Sequence, residues 1–163
     1  MTATLYVICG MAGAGKTTFA QRLERNTGAI RLAPDEWITR LIGDKGDRVE
    51  RERLRDSVED LQWATAQQLL RRSVSVILEN GFWSRKERFR LIATSKELGA
   101  RVVLHFLDTP KTELLRRLEV RNAQEPHESL RVTVEDLDLW LSWFEPPEVS
   151  ELGLYDAFQI HRP

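Results

Sequence analysis

The amino-acid sequence predicts an α/β fold of three layers, in which a five-stranded parallel sheet lies between helices on both faces. Three observations predict it. Short apolar runs alternate with stretches of helical periodicity, a pattern typical of parallel sheets covered by helices. A glycine-rich segment, residues 10–17, links the first apolar run to the first helical stretch. The 163 residues have the length of one domain, and we expect residues 1–163 to form it.

Five apolar runs are the predicted strands, and three stripes at helical spacing predict helices. The strands are residues 4–9, 30–32, 74–78, 102–107 and 157–160. The stripes are Leu54, Val58, Leu61 and Leu69, then Leu114, Leu115 and Leu118, then Leu137, Trp140, Leu141 and Phe144. Gly99 is predicted to cap a helix end, Pro110 to lie in a first helical turn, and Thr133 to be an N-cap.

Two segments, residues 43–47 and 122–129, interrupt these patterns and are predicted to be loops. In open parallel sheets, ligands bind beyond the carboxyl ends of the strands. We therefore expect the strand ends to surround a ligand. These ends are residues 9–10, 33–35, 79–83 and 108–109.

The composition limits the classes of partner and site. With 24 basic and 25 acidic residues the formal net charge is −1, so no global field attracts nucleic acid or an anionic membrane. Cys9 is the only cysteine, which excludes an internal disulfide and a cysteine-based zinc site. The first residues lack the basic stretch, the long apolar segment and the small-residue cleavage site of a secretory signal, and no apolar run has the length needed to cross a bilayer. We expect a cytoplasmic protein without a membrane partner.

Residues 10–17 carry a glycine-rich motif that ends in Gly-Lys-Thr and is specific for nucleotide phosphates. Its glycines let backbone N–H groups turn toward the phosphates, Lys16 reaches the β- and γ-phosphates, and the Thr17 hydroxyl is placed to bind Mg²⁺. This P-loop predicts a P-loop NTPase fold that binds ATP, or alternatively GTP, with Mg²⁺. The predicted nucleotide-binding residues are Gly10, Ala12, Gly13, Ala14, Gly15, Lys16, Thr17 and Thr18.

Asp35 follows the second predicted strand, and Pro34 fixes the backbone just before it. A carboxylate at this strand end can orient and deprotonate an acceptor hydroxyl during phosphoryl transfer. The alternative is that Asp35 caps the helix predicted over residues 36–42. The residues alone do not separate the two.

Glu79 ends the third predicted strand, where P-loop proteins usually place an aspartate that holds Mg²⁺ or its water. The longer glutamate is expected either to serve the metal through water or to bind the acceptor. Gly81 would allow close backbone approach, and Phe82 and Trp83 would offer an apolar wall. The alternative for these two aromatic residues is packing beneath a loop.

Arg117 and Arg121 lie four residues apart on a predicted helix and can therefore point the same way. This spacing suits a short lid, at about residues 122–132, that closes arginines over the transferring phosphate. A solvated helix face is the alternative, and Arg116 is expected at the surface. Among the histidines, His105 is expected in the core, and only His127, in the lid, is a candidate site residue.

Several segments together resemble the small P-loop kinases that include chloramphenicol phosphotransferase, the kinase domain of phage polynucleotide kinase and zeta-toxin-like enzymes. A bacterial group of ATP-dependent kinases is the most similar. The matching stretches are residues 10–18, 34–35, 78–85 with Arg88, 117–122 and 144–147. The resemblance implies transfer of the γ-phosphoryl group of ATP to a hydroxyl, with Asp35 as the base and Arg117 and Arg121 in the lid.

The resemblance also implies that Arg88 faces the acceptor or the phosphate, and Glu79 departs from the family's aspartate. The acceptor is expected to be a small molecule that resembles an antibiotic, a nucleoside or a sugar, with residues 37–56 shaping its pocket. The candidate acceptor-binding residues are Trp37, Glu79, Phe82, Trp83 and Arg88. One alternative is a kinase for the 5′-hydroxyl of a nucleic acid end, and another is a nucleotide-binding switch or ATPase module.

Overall fold

The structure, a computed structural model, describes residues 2–43, 47–126 and 130–163. The strands are β1 (Thr4–Gly10), β2 (Ile30–Leu32), β3 (Val76–Gly81), β4 (Arg101–Leu107) and β5 (Ala157–His161). The helices are α1 (Lys16–Thr27), α2 (Pro34–Ile42), α3 (Arg48–Arg71), α4 (Arg85–Glu97), α5 (Lys111–Gln124), α6 (Val134–Trp143) and α7 (Val149–Leu152).

The strands form one sheet in the order β2-β3-β1-β4-β5, and every neighbouring pair is parallel. The central strand, β1, pairs Val7 with Leu78 of β3 on one side and with Leu104 of β4 on the other. All carboxyl ends of the strands therefore meet at one edge of the sheet. The predicted five-stranded parallel sheet is confirmed.

Alternate side chains of β1 enter two hydrophobic cores on opposite faces of the sheet. Leu5, Val7 and Cys9 pack with α3 and α4, on what we call the α3 face. Ile8 packs with α1, α5 and α6, on what we call the α1 face. Because each face of the sheet is covered by helices, the three-layer arrangement follows from the period of two along a buried strand.

Strand β3 spans Val76–Gly81 rather than the predicted residues 74–78. The N–H group of Val74 bonds to the carbonyl of Leu69 and so closes α3 instead of joining the sheet. Glu79 and Asn80 therefore lie inside the strand, and their side chains leave opposite faces. Glu79 lies two residues after Ile77, which packs in the α1-face core, so Glu79 points to the side of the P-loop.

The predicted stripe on α3 is wrong at Leu61, which is 61% exposed, whereas Trp63 and Ala66 are buried. Helix α5 continues to Gln124, so it includes the start of the predicted loop at residues 122–129. Residues 44–46 and 127–129, with His127, lie outside the described residues. Pro110 is an N-cap rather than a first-turn residue, and Thr133 forms the predicted N-cap. No helix in the described ranges is long and apolar enough to cross a membrane.

Candidate active site

The loop between β1 and α1 has a backbone suited to an anion. Gly13 and Gly15 have φ angles of 84° and 91°, in the left-handed region that glycine adopts without strain. A Cβ atom at Gly10 would lie 3.1 Å from the carbonyl oxygen of Leu107. In the described part of the chain, the N–H groups of Gly13, Gly15 and Lys16 form no hydrogen bond. These donors are free for phosphate oxygens.

Lys16 lies along this loop, and its Nζ donates a hydrogen bond to the carbonyl of Met11 over 2.9 Å. Burial lowers the pKa of the Lys16 ammonium to about 8, and the nearby Asp35 carboxylate opposes this shift. A negative phosphate group beside Lys16 would raise the pKa again, because it stabilises the charged form. The loop therefore combines free backbone donors with a cation that gains from binding an anion.

Thr17 and Glu79 meet beside the loop, where the Thr17 hydroxyl donates to Oε1 of Glu79 over 3.4 Å. Burial raises the pKa of Glu79, and Arg31, whose Nη1 lies 3.3 Å from the same oxygen, opposes the shift. The other oxygen, Oε2, is buried and has no partner among the described residues. Oxygen donors of this kind fit Mg²⁺, which takes oxygen ligands and keeps several waters. Glu79 thus lies on the P-loop side of β3.

Arg31 holds this arrangement together, because its guanidinium contacts three carboxylates. They are Glu24 of α1 at 3.2 Å, Glu36 of α2 at 2.8 Å and Glu79 of β3 at 3.3 Å. The Arg31 side chain is only 11% exposed. One cation therefore fixes the helix after the P-loop, the helix that carries Asp35 and the strand that carries Glu79. Only the place of Arg31 on a short predicted strand could have signalled this role in the sequence.

The base of α5 contacts the P-loop directly. Nη1 of Arg117 donates to the carbonyl of Ala14 over 3.1 Å, while its Nε bonds to Glu113 over 2.6 Å. Arg121, one turn later, forms no hydrogen bond or ion pair within the described residues, and its charge contributes to the lowered pKa of Lys16. Arg116 is 64% exposed and pairs with Glu113. Arg117 is therefore not on a solvated face, and Arg116 is at the surface as expected.

Asp35 lies in the first turn of α2, whose N-cap is Ala33, so the alternative that Asp35 caps this helix is wrong. Its side chain is 77% exposed, and Oδ1 accepts a hydrogen bond from Nη2 of Arg55 over 2.8 Å. Arg55 also approaches Glu59, with Nη1 at 3.6 Å from Oε1. Asp35 thus presents an open carboxylate that is oriented from α3 and lies close enough to Lys16 to affect its pKa.

A cavity of about 290 Å³ opens on the α3 face beside the end of β3. Its lining comes from α3, β3 and α4 and is unusually rich in carboxylates. The lining residues are Asp56, Glu59, Asp60, Trp63, Leu78, Asn80, Phe82, Glu87, Arg90 and Leu91. Of the predicted acceptor-binding residues, Phe82 belongs to this wall, whereas Glu79 faces Thr17.

Trp83 and Trp37, two further predicted acceptor-binding residues, are not part of the cavity lining among the described residues. The indole Nε1 of Trp83 donates to the carbonyl of Gly10 over 3.2 Å, and its ring packs against Trp140 with centroids 5.9 Å apart. Trp83 therefore supports the P-loop from the α1 face, which corrects the expectation that it forms an acceptor wall. Trp37 lies on α2, is 37% exposed and does not line the cavity in the described part of the chain.

Arg88 is a second correction, because its side chain is fully buried and does not face an acceptor or a phosphate. Its Nε and Nη2 donate to the two carboxylate oxygens of Glu151 over 2.6 and 2.8 Å, and Nη1 donates to the carbonyl of Phe82 over 2.8 Å. Glu151 also accepts from the Tyr155 hydroxyl. A buried cation needs these partners, so Arg88 holds α4, α7 and the Phe82 turn together.

The acidic residues of the cavity were missed by sequence reasoning. Asp56, Glu59, Asp60 and Trp63 stand at spacings of three, four and seven on α3, which places them on one helix face. Burial raises the pKa of Glu59 to about 7, although Arg55 opposes the shift. The sequence does show three acids and a tryptophan at helical spacing. However, this spacing is also typical of a helix face exposed to solvent, and the two cannot be separated until the buried side of α3 is known.

The sheet order, the glycine loop after β1, the lysine and threonine at the start of α1 and the arginines of α5 define a P-loop kinase fold. Comparison with known proteins agrees. The chain belongs to the family described as an AAA domain, whose model matches residues 5–147. A search of curated proteins found no match. The predicted class, a P-loop kinase with a nucleotide-binding fold, is confirmed at the level of family and fold.

Solved structures with this fold include kinases. A candidate kinase from Chloroflexus aurantiacus J-10-fl is 21% identical, with 99% of this chain and 89% of that chain covered and a TM-score of 0.78. A sugar kinase from Janibacter sp. HTCC2649 is 20% identical, with 99% and 86% covered and a TM-score of 0.60. A Pnkp1/Rnl/Hen1 RNA repair complex contains a chain that is 23% identical, with 91% and 50% covered and a TM-score of 0.62. At these identities the likeness establishes the fold.

Proposed function

We propose that the protein transfers the γ-phosphoryl group of ATP to a hydroxyl group of a small-molecule acceptor. The observation that carries this proposal is the position of Asp35. Its exposed carboxylate stands near Lys16 on one side and is joined through Arg55 to Glu59, a cavity residue, on the other. A base between a phosphate loop and a cavity is the arrangement that phosphoryl transfer to a bound hydroxyl requires.

The donor side is built to hold a triphosphate. The free N–H groups of the P-loop and the Lys16 ammonium bind the β- and γ-phosphate oxygens, and Thr17 and Glu79 would hold Mg²⁺ together with those oxygens. When bound, Mg²⁺ supplies positive charge that neutralises the phosphate oxygens. Glu79 takes the place of the more usual aspartate, and Arg31 limits how far its carboxylate can turn.

The transfer step uses the groups of this chain as follows. Asp35 accepts the proton of the acceptor hydroxyl while the oxygen of that hydroxyl forms a bond to the γ-phosphorus. The bond from that phosphorus to the bridging oxygen breaks, and ADP leaves. Arg117, already on the P-loop carbonyl of Ala14, and Arg121, which has no partner in the described residues, stabilise the charge that develops on the γ-phosphoryl oxygens.

The test is transfer of label from γ-labelled ATP to a panel of nucleosides, sugars, aminoglycosides, chloramphenicol-like alcohols and 5′-hydroxyl oligonucleotides. We expect Asp35→Asn to lower the transfer rate by about 10²–10⁴-fold, the usual contribution of a general base, and to leave the Kd for ATP unchanged. Asp138→Asn is the matched control, because Asp138 is an exposed carboxylate on α6.

Two results would contradict the proposal. Hydrolysis of ATP without any acceptor, at a rate that Asp35→Asn leaves unchanged, would favour an ATPase or switch module. Label that appears only on 5′-hydroxyl oligonucleotides would favour a polynucleotide kinase.

A further inference from the structure

The cavity on the α3 face carries a charge pattern that the transfer of a phosphoryl group does not by itself require. Asp56, Glu59, Asp60 and Glu87 contribute carboxylates to its lining, and Arg90 contributes one guanidinium. Within the described ranges, no basic side chain lies within 4 Å of the carboxylates of Asp56, Asp60 or Glu87. The cavity is therefore negative, and the protein itself compensates little of that charge.

Glu59 is the best compensated of these acids, but its partner is shared. Arg55 contacts Glu59 at 3.6 Å, Glu52 at 3.7 Å and Asp35 at 2.8 Å, so one guanidinium serves three carboxylates. Burial raises the pKa of Glu59 to about 7, against the effect of Arg55, and burial raises the pKa of Glu87, against the effect of Arg88 and Arg90. A cation bound in the cavity would favour the charged form of both acids.

A further feature of the lining points to a ligand that donates hydrogen bonds. The Oδ1 atom of Asn80 is buried, accepts no hydrogen bond from the described residues and belongs to the cavity wall. A protonated amino group can donate to this carbonyl oxygen and bind the carboxylates, whereas an anion gains neither contact.

The size of the cavity limits what can enter. Its volume of about 290 Å³ corresponds to about ten water molecules in the liquid, at roughly 30 Å³ each. A ligand of about the size of one substituted six-membered ring fits this space. Asp35 does not line the cavity in the described part of the chain but is joined to its wall through Arg55 and Glu59, so the hydroxyl to be phosphorylated must lie on the Arg55 side, with the cation among the acids of the lining.

We propose that the acceptor is an amino sugar or aminocyclitol whose protonated amino group is bound by Asp56, Glu59, Asp60 and Asn80 while its hydroxyl faces Asp35. This inference rests on the proposed kinase function and names the chemical class of its acceptor. A nucleic acid end is disfavoured, because its phosphates would meet four carboxylates.

The experiment compares matched pairs of probes that differ in charge. 2-Deoxystreptamine is paired with myo-inositol, and glucosamine with N-acetylglucosamine, in calorimetric binding to the full chain in the presence of a non-hydrolysable ATP analogue. We expect each cationic probe to bind at least about tenfold more tightly than its neutral partner, which is about 1.4 kcal/mol. Transfer of label from γ-labelled ATP is measured on the same four probes.

The variants show whether a preference for cations comes from the carboxylates of the cavity or from the overall negative charge of the protein. Asp56→Asn with Asp60→Asn should reduce the preference for the cationic probe to less than about threefold, and Asp60→Lys should abolish it. Glu97→Gln, an exposed carboxylate at the end of α4, should keep the full preference. Because Asp56 and Asp60 are exposed, we expect these variants to fold, and thermal melts check that they do.

The outcomes distinguish this inference from the proposed function. Label that enters neutral sugars with no cationic preference would overturn the inference and leave the proposed transfer to a small molecule intact. Label that enters only oligonucleotides would overturn both. Tight binding of the cationic probes without any transfer would show that the cavity binds a cation, but it would overturn the inference that these compounds are acceptors. Equal binding within both pairs, or a preference that the double variant leaves unchanged, would overturn the inference.

Discussion

The carboxyl end of β3 separates two regions that differ in charge and in the groups that build them. On the α1 face, the phosphate region consists of backbone N–H groups with Lys16, Arg117 and Arg121. On the α3 face, the cavity is lined by residues that carry four carboxylate side chains. Adjacent residues of one strand, Glu79 and Asn80, belong to the two regions.

This difference determines which substitutions each region can tolerate. A phosphate region built from backbone depends on loop geometry, and Gly13 and Gly15 have positive φ angles that other residues adopt only with strain. Carboxylate side chains, by contrast, can be exchanged while the backbone stays the same. If the two regions are as separate as the structure indicates, substitutions in one should leave the other unchanged.

The largest effect is expected at the ion pair that supports the cavity side. Arg88→Met should lower the free energy of unfolding by about 3–5 kcal/mol, because it leaves Glu151 buried without its cation. Urea unfolding measures this. Arg85→Met, at a side chain that is 35% exposed, should cost under about 1 kcal/mol. If Arg88→Met unfolds like the native chain but loses acceptor binding, Arg88 contacts the acceptor after all.

A smaller loss of stability is expected in acid, and it arises on the α1 face. Burial lowers the pKa of His105 to about 4, so the unfolded chain binds a proton more readily than the folded one between pH 6.5 and 4. Stability should fall as the pH drops through this window, by about 3 kcal/mol in total, and level off below it. His105→Gln should remove that part of the pH dependence, measured by urea unfolding at pH 7, 5 and 4. An unchanged slope in the variant would assign the acid sensitivity to other groups.

Arg117→Ala tests the phosphate region alone. This substitution removes one hydrogen-bond donor that is held in place for the transferring phosphoryl group, so kcat should fall by about 10²-fold. Binding of the cationic acceptor probes should stay unchanged, because Arg117 contacts the P-loop and not the cavity. Arg116→Ala, at the exposed neighbour, should leave kcat unchanged. Steady-state kinetics with both variants decide this, and a weaker acceptor Kd in Arg117→Ala would show that the regions are coupled.

The smallest effect is expected at Trp83, whose indole donates to the carbonyl of Gly10. Trp83→Phe removes one hydrogen bond and should cost about 1 kcal/mol, or about 2–4 °C in Tm for a chain of this length. A thermal melt measures it. Acceptor binding should be unaffected. A loss of acceptor affinity without a change in Tm would indicate that Trp83 contacts the acceptor, as the sequence predicts.

The sequence supports a residue-by-residue prediction for the P-loop and few predictions for the cavity. Residues 10–18 could be assigned because each position of a P-loop has its own backbone or ligand requirement. Arg88 and Arg117 look alike in sequence, and only the tertiary structure separates a fully buried ion-pair residue from one that contacts the P-loop. The start of β3 was predicted two residues too early, because Val74 closes α3 through the carbonyl of Leu69 and an apolar residue beside an apolar run does not reveal that bond.

The single face of α3 that carries Asp56, Glu59, Asp60 and Trp63 has a consequence for how such a protein can diversify. These four positions lie within eight residues of one continuous helix, distant in sequence from the P-loop and from the arginines of α5. If the cavity binds the acceptor as proposed, a few codon changes in that short window would alter acceptor choice without changing the P-loop or the arginines of α5. A library confined to this window is therefore a compact starting point for retargeting the scaffold to new alcohols.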